Sequence, residues 1–241
     1  MAPGEVGRGA RTKFAIACAL LIIASLTARA AHAQFGVPWR HTPTIIIISA
    51  AGDPRLSLVD EAVSFWNKTL EEVGSGFRLG PVGRVVQPIP EEALQSLSRA
   101  IVGRPGPTEI PEALRNLPGD LTILLADSDF VSFAGPFHAP GKRVVGIKNP
   151  SWPPLNLPNV ARNVLIHELG HAIGLGHNSD PAMLMCGRPA SCRPAAFRSD
   201  VPRIFPLTDG EKAQLLRMYP ADWKPRSAIG RGHAAVLKHD S

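Results

Sequence analysis

Three histidines and a glutamate fall within eleven residues, at His167, Glu168, His171 and His177. On a helix, His167 and His171 stand four residues apart, so their imidazoles rise from one face about 5–6 Å apart. Both nitrogens then reach a single zinc ion at roughly 2.0–2.1 Å. Glu168, beside the first of them, is placed to take a proton from an attacking water rather than to bind metal. Gly174 can end the helix with a positive φ, turning the chain so that His177 returns as a third ligand. Three protein ligands leave one tetrahedral position open, as catalytic zinc sites do. The chemistry of such a set is hydrolysis by activated water. The bland alternative is an amphipathic helix with two surface histidines and a solvated glutamate.

The elements that must position these residues follow from periodicity. Thr44 to Ala50, with four consecutive isoleucines, predicts a strand buried on both faces. Asp53-Pro54 reads as N-cap and N1 of a helix whose apolar stripe is Val59, Ala62, Val63, Trp66, Leu70 and Val73, closed by Gly74. Trp66 at that spacing is a core residue. Phe77 to Gln87 predicts a second strand, broken by Gly80-Pro81-Val82-Gly83 as a hairpin or a bulge. Glu91 to Val102 suggests a short helix, Gly103 to Gly119 a loop with one helical turn near Pro111–Leu117, and Asp120 to Ala126 another doubly buried strand. Ser132 to Gly135 and Arg143 to Lys148 look like two short strands. The histidine helix should start at Pro158 or Asn159 and end by Leu175, with Ala161, Leu165, Leu169 and Ala172 facing the sheet. Thr208-Asp209-Gly210-Glu211 is a capping-box pattern opening a last helix, with Ala213, Leu215, Leu216 and Met218 as its packing stripe.

Residues 1–33 read as a secretory signal peptide, with Arg8, Arg11 and Lys13 ahead of the apolar run Phe14–Leu26 and Ala31-His32-Ala33 as cleavage site. Without that segment, which holds Arg8, Arg11, Lys13 and Arg29 against Glu5, the formal charge falls from +6 to +3. That charge, with no interleaving of aromatic and basic residues, gives no warrant for nucleic-acid binding. No other apolar run reaches membrane-spanning length, so the mature form is expected to need no membrane. The expected division is a signal peptide over 1–33, one domain over 34–220 and a tail over 221–241, and the protein is expected to be secreted or periplasmic and monomeric.

The run His167-Glu168-Leu169-Gly170-His171-Ala172-Ile173-Gly174-Leu175-Gly176-His177 resembles the signature of the metzincins, zinc endopeptidases named for a methionine turn beneath the metal. His177 through Met185 resembles the matrixin stretch running into that turn, which makes Met185 the turn methionine, with Met183 as the second candidate. Leu207 to Tyr219 is similar to the closing helix of matrixin catalytic domains, so the resemblance spans residues 158–219. It implies an α/β (α+β) catalytic domain: a mixed twisted sheet of about five strands with one antiparallel edge strand, an active-site helix and a C-terminal helix. By that analogy the stretch near Val131 to Gly135, with Ser132, Phe133, Ala134 and Gly135, forms the edge that pairs with extended substrate, and Val144 to Ile147 is its neighbour or the alternative edge. It further implies a protein or peptide substrate. The structural zinc and calcium sequences of animal matrixins are missing and His138 stands alone, so one catalytic zinc is expected and no structural zinc or calcium.

Two departures matter. Astacin- and serralysin-type members carry a tyrosine two residues after the turn methionine, where this chain has Gly187; its one tyrosine is Tyr219. Matrixins commonly continue with Tyr-Pro, where Cys186-Gly187 stand instead. Cys186 and Cys192 are the cysteines outside the leader, and an oxidising compartment predicts a disulfide between them, clamping a five-residue loop. Such a ring would stabilise by roughly 2 kcal/mol. The rival is a free Cys186 acting as zinc ligand or inhibitor. Arg188, Arg193, Arg198 and Arg203 are either solvated loop residues or a lining that favours acidic side chains after the cut. The expected function is zinc-dependent hydrolysis of internal peptide bonds with Glu168 as general base and acid. The rivals are a metzincin-fold protein that binds zinc without catalysis and a zinc amidase acting on cell-wall peptides.

Overall fold

The computed structural model describes residues 37–103, 110–136, 141–187 and 201–226. Five strands form one sheet: β1 (Ile45–Ser49), β2 (Val82–Val86), β3 (Leu121–Leu125), β4 (Phe133–Pro136) and β5 (Arg143–Ile147), in the spatial order β2-β1-β3-β5-β4. All neighbours are parallel except β4, which pairs antiparallel with β5 at the edge. Four α-helices accompany them: α1 (Leu56–Glu72), α2 (Glu91–Gly103), α3 (Pro158–Ala172) and α4 (Asp209–Met218). This is the mixed α/β architecture expected, with its single antiparallel edge.

The alternation of strand side chains sorts the core into two layers. Ile45 and Ile47, Leu121, Ile123 and Leu125, and Val145 and Ile147 face one way, onto Val59, Trp66 and Leu70 of α1 and Leu165 and Leu169 of α3. Ile48, Leu124 and Val144 face the other way, onto Leu94 and Leu97 of α2. Helices on both faces are why β1 and β3 read as continuous apolar runs. The edge strand β4 lies alongside α3, which places it beside the histidine helix.

The first helix departs from its expected start. The helix begins at Leu56 with Arg55, not Asp53, at the cap position. Asp53 instead accepts the Arg55 N–H at 2.9 Å and holds its guanidinium in a buried pair, Nε to Oδ1 2.8 Å. That guanidinium also donates to Ala126 O at 3.0 Å and Ile147 O at 2.9 Å, tying together the ends of β3 and β5.

The hairpin alternative at Gly80–Gly83 is not what forms. β2 starts only at Val82, and Leu79 pairs with a side chain rather than a strand: its N–H donates to Asn67 Oδ1 at 2.7 Å and its carbonyl accepts from Asn67 Nδ2 at 3.2 Å. In α4 the expected stripe is also corrected. Ala213 and Leu216 are exposed, and the buried positions are Glu211 and Leu215, followed one turn on by Tyr219. Tyr219 stacks on Phe77 with ring centroids 4.2 Å apart, and Trp223 packs edge-on against Phe77, so the packed chain runs on past Pro220. No helix among the described residues is long and apolar enough to cross a membrane. The expected signal peptide, residues 1–33, lies outside the described residues.

Candidate metal centre

Helix α3 begins with Pro158 in its first turn, where a missing N–H costs nothing, and buries nearly every residue from Val160 onward. Gly174, at φ 108°, lets the chain turn back: Gly174 N donates to His171 O at 3.0 Å and Leu175 N to Gly170 O at 3.0 Å. The turn brings His177 to the two helical histidines. The Nε2 atoms of His171 and His167 are 3.0 Å apart, those of His171 and His177 3.0 Å, and those of His167 and His177 3.3 Å.

Those distances are diagnostic. Ligand nitrogens at roughly 2.0–2.1 Å about a tetrahedral centre lie about 3.3 Å from one another. The opposite ring atoms of two histidines are already engaged: His167 Nδ1 donates to Leu184 O at 2.8 Å and His171 Nδ1 to Leu175 O at 2.7 Å. With the proton on Nδ1, each Nε2 offers a lone pair, and the tautomer is fixed as metal-binding histidines require. Neutral imidazole is favoured at His171, whose pKa is pushed down to about 3, first by burial and then by the neighbouring His177, against the opposing Leu175 hydrogen bond. Among the described residues, His167, His171 and His177 form a group able to hold a metal ion. The donor set and its spacing fit zinc. Glu168, next along the helix, is 8% exposed.

Met185, expected from the sequence to be the turn methionine, packs against α3 at Gly170. Met185 is fully buried, and a Cβ added at Gly170 would come within 2.6 Å of its sulfur and 2.9 Å of the Trp66 ring. Gly170 is therefore glycine so that Met185 and Trp66 can both close on the helix between the two histidines. Trp66 Nε1 donates to Ile166 O at 2.9 Å, which makes it core. Beyond the turn, a Cβ at Gly187 would meet the His177 ring at 2.1 Å. Cys186 is buried; Cys192 lies outside the described residues.

Of the expected edge residues, Phe133, Ala134 and Gly135 belong to β4, whereas Ser132 precedes it and accepts from Lys148 N–H at 3.1 Å through Oγ. Trp152 is exposed, with Lys148 Nζ 5.7 Å from its ring centre. His138, Arg188, Arg193 and Arg198 lie outside the described residues, while Arg203 sets its guanidinium over Phe205 at 5.2 Å.

Sequence reasoning missed two buried asparagines on α3. Asn159 Oδ1 accepts from Arg203 N at 2.9 Å and its Nδ2 donates to Val201 O at 2.8 Å. Asn163 Nδ2 donates to Arg203 O at 2.7 Å and its Oδ1 accepts from Phe205 N at 2.9 Å. The pair, one turn apart, serves as a surrogate strand for residues 201–205. Two amides four residues apart on an apolar helix were the available signal.

No protein-family model matches the chain, and no curated protein matches it. Among solved structures it is similar to the crystal structure of archaemetzincin from Methanopyrus kandleri, at 23% identity and a TM-score of 0.45, the alignment covering 74% of this chain and 96% of that one. The functional reading rests on the site itself.

Proposed function

We propose that this protein is a secreted, matrixin-like zinc metalloendopeptidase that cleaves internal peptide bonds of protein or peptide substrates. The observation that carries the proposal is the convergence of three imidazole Nε2 atoms within 3.3 Å, two from α3 and one from the chain beyond it, with Glu168 buried next to His167 on the helix. His167, His171 and His177 would hold one zinc ion, which would lower the pKa of water to about 7 and polarise a carbonyl oxygen. Glu168 takes the proton of the attacking water and delivers it to the departing amine. The β4 edge has only β5 as a strand partner among the described residues, and its outer side offers main-chain donors and acceptors to an extended peptide. The proposal includes a Cys186–Cys192 disulfide walling the cleft beyond the methionine turn, removal of residues 1–33 on secretion, a monomeric mature form, and no structural zinc or calcium.

The test is digestion of labelled peptides by the purified mature protein, with and without chelator, beside Glu168→Ala. The expected result is zinc retained in the variant with hydrolysis reduced by about 10²–10⁴-fold. Activity that survives both chelator and Glu168→Ala would refute the peptidase reading. Cleavage confined to cell-wall peptides would establish the amidase instead.

A further inference from the structure

The three ligands are not held alike. His167 and His171 ride on α3, whereas His177 lies beyond the helix on irregular, exposed chain. Something outside α3 must fix it, and the residue that follows it is unusually well anchored. Asn178 N donates to Met185 O at 2.9 Å, and its carbonyl accepts from Gly187 N at 3.0 Å. Its Oδ1 accepts from Asp180 N at 2.9 Å, and its Nδ2 donates to Glu211 Oε1 at 2.7 Å. All four polar groups of this residue are therefore engaged.

Glu211 is 7% exposed, and its other oxygen accepts from Thr208 N at 2.8 Å. The capping box accounts for that second bond and for Thr208 Oγ1 accepting Glu211 N–H at 3.1 Å. It does not account for the bond to Asn178, which crosses from α4 to the metal loop. We propose that Glu211, acting through Asn178, is a positioning residue for His177, so that α4 holds the third zinc ligand in place. The buried carboxylate locks the Asn178 side chain at one end and the methionine turn locks its backbone, which removes the freedom His177 would otherwise have to swing from the common centre. Partners of this kind behind a ligand typically govern metal affinity by 10–100-fold.

This inference rests on the zinc reading above, and the experiment separates the two. Zinc affinity is measured by chelator competition, and the cobalt-substituted absorption spectrum recorded, for wild type, Thr208→Ala, Glu211→Gln, Asn178→Ala and the Glu211→Gln/Asn178→Ala double variant. Thr208→Ala removes a cap hydrogen bond without touching Asn178, so it should lower the unfolding midpoint and leave zinc affinity and the cobalt spectrum unchanged. Glu211→Gln and Asn178→Ala should each weaken zinc about 10–100-fold with an altered cobalt spectrum, and the double variant should be no worse than either. If Glu211→Gln does not fold, Asn178→Ala, which leaves the capping box whole, decides alone. Wild-type affinity in the Asn178 variant, or fully additive losses, would overturn the proposal. A wild-type protein that binds no zinc would instead overturn the functional reading on which it stands.

Discussion

Gly187 has no side chain because the His177 ring fills the space one would need. Replacement by alanine puts a methyl carbon about where ring carbons already sit, so either the ring or the turn after Met185 must move. Gly187→Ala should therefore weaken zinc at least about 10-fold while leaving the helices intact, read by chelator competition and far-ultraviolet circular dichroism. Undiminished zinc affinity would show that the ring has room to yield. At this scale the sequence was informative about which histidines converge and silent about their supports. His167, His171 and Glu168 declare themselves by spacing, but Asn178 and Glu211 are 33 positions apart and meet only in the fold. Glu211 was recognisable as a cap; its second partner was not. Gly187 was noticed as the absence of a tyrosine, whereas its reason is contact with the His177 ring.

Helix α3 is held at its C-terminal end by donors from three distant elements. Ala172 O accepts from Trp39 Nε1 at 2.9 Å and from the Arg143 guanidinium, and Ile173 O accepts from Tyr219 Oη at 2.8 Å. Gln214 Nε2 reaches Gly174 O at 3.3 Å. These carbonyls would otherwise be orphaned at the end of the helix that carries the site. Burial pushes the Tyr219 pKa up to about 12, against the opposing influence of the Trp39 N–H and Arg143. The unfolded chain ionises near about 10. The stabilisation is therefore fully present below about 10 and is lost as pH rises to about 12, some 2–3 kcal/mol across that window. Tyr219 is the one tyrosine in the chain, so its phenolate absorbance reads this group alone. Titration near 10 in the folded protein would contradict the buried assignment. At the start of the same helix, Asn163→Ala would leave Arg203 O and Phe205 N without their partner, costing about 2–4 kcal/mol by urea denaturation. A loss below about 0.5 kcal/mol would show that water replaces the amide.

Across the whole molecule, the parts legible in the sequence are those written as local patterns. The apolar runs of β1 and β3, the stripe of α1, the start of α3 and the cap of α4 all appear where periodicity and capping chemistry place them. What was not legible depends on long-range pairing. Asp53 looks like an N-cap until Arg55 claims its carboxylate and uses the pair to bridge two strand ends. Phe77 to Gly80 looks like strand until Asn67 takes the hydrogen bonds a neighbour would have made. Leu216 looks like core because α4 carries more apolar residues than its contact face can cover. Each part of the fold converges on the same place: α1 and Met185 beneath α3, β4 beside it, and α4 behind the loop that returns His177.

The most direct test of that convergence is the metal content of the purified protein, dialysed without chelator and compared with His171→Ala and His177→Ala. One zinc per chain in the wild type, with most of it lost in each variant, is the predicted result. A wild-type chain without stoichiometric zinc, or variants that retain it undiminished, would contradict the account.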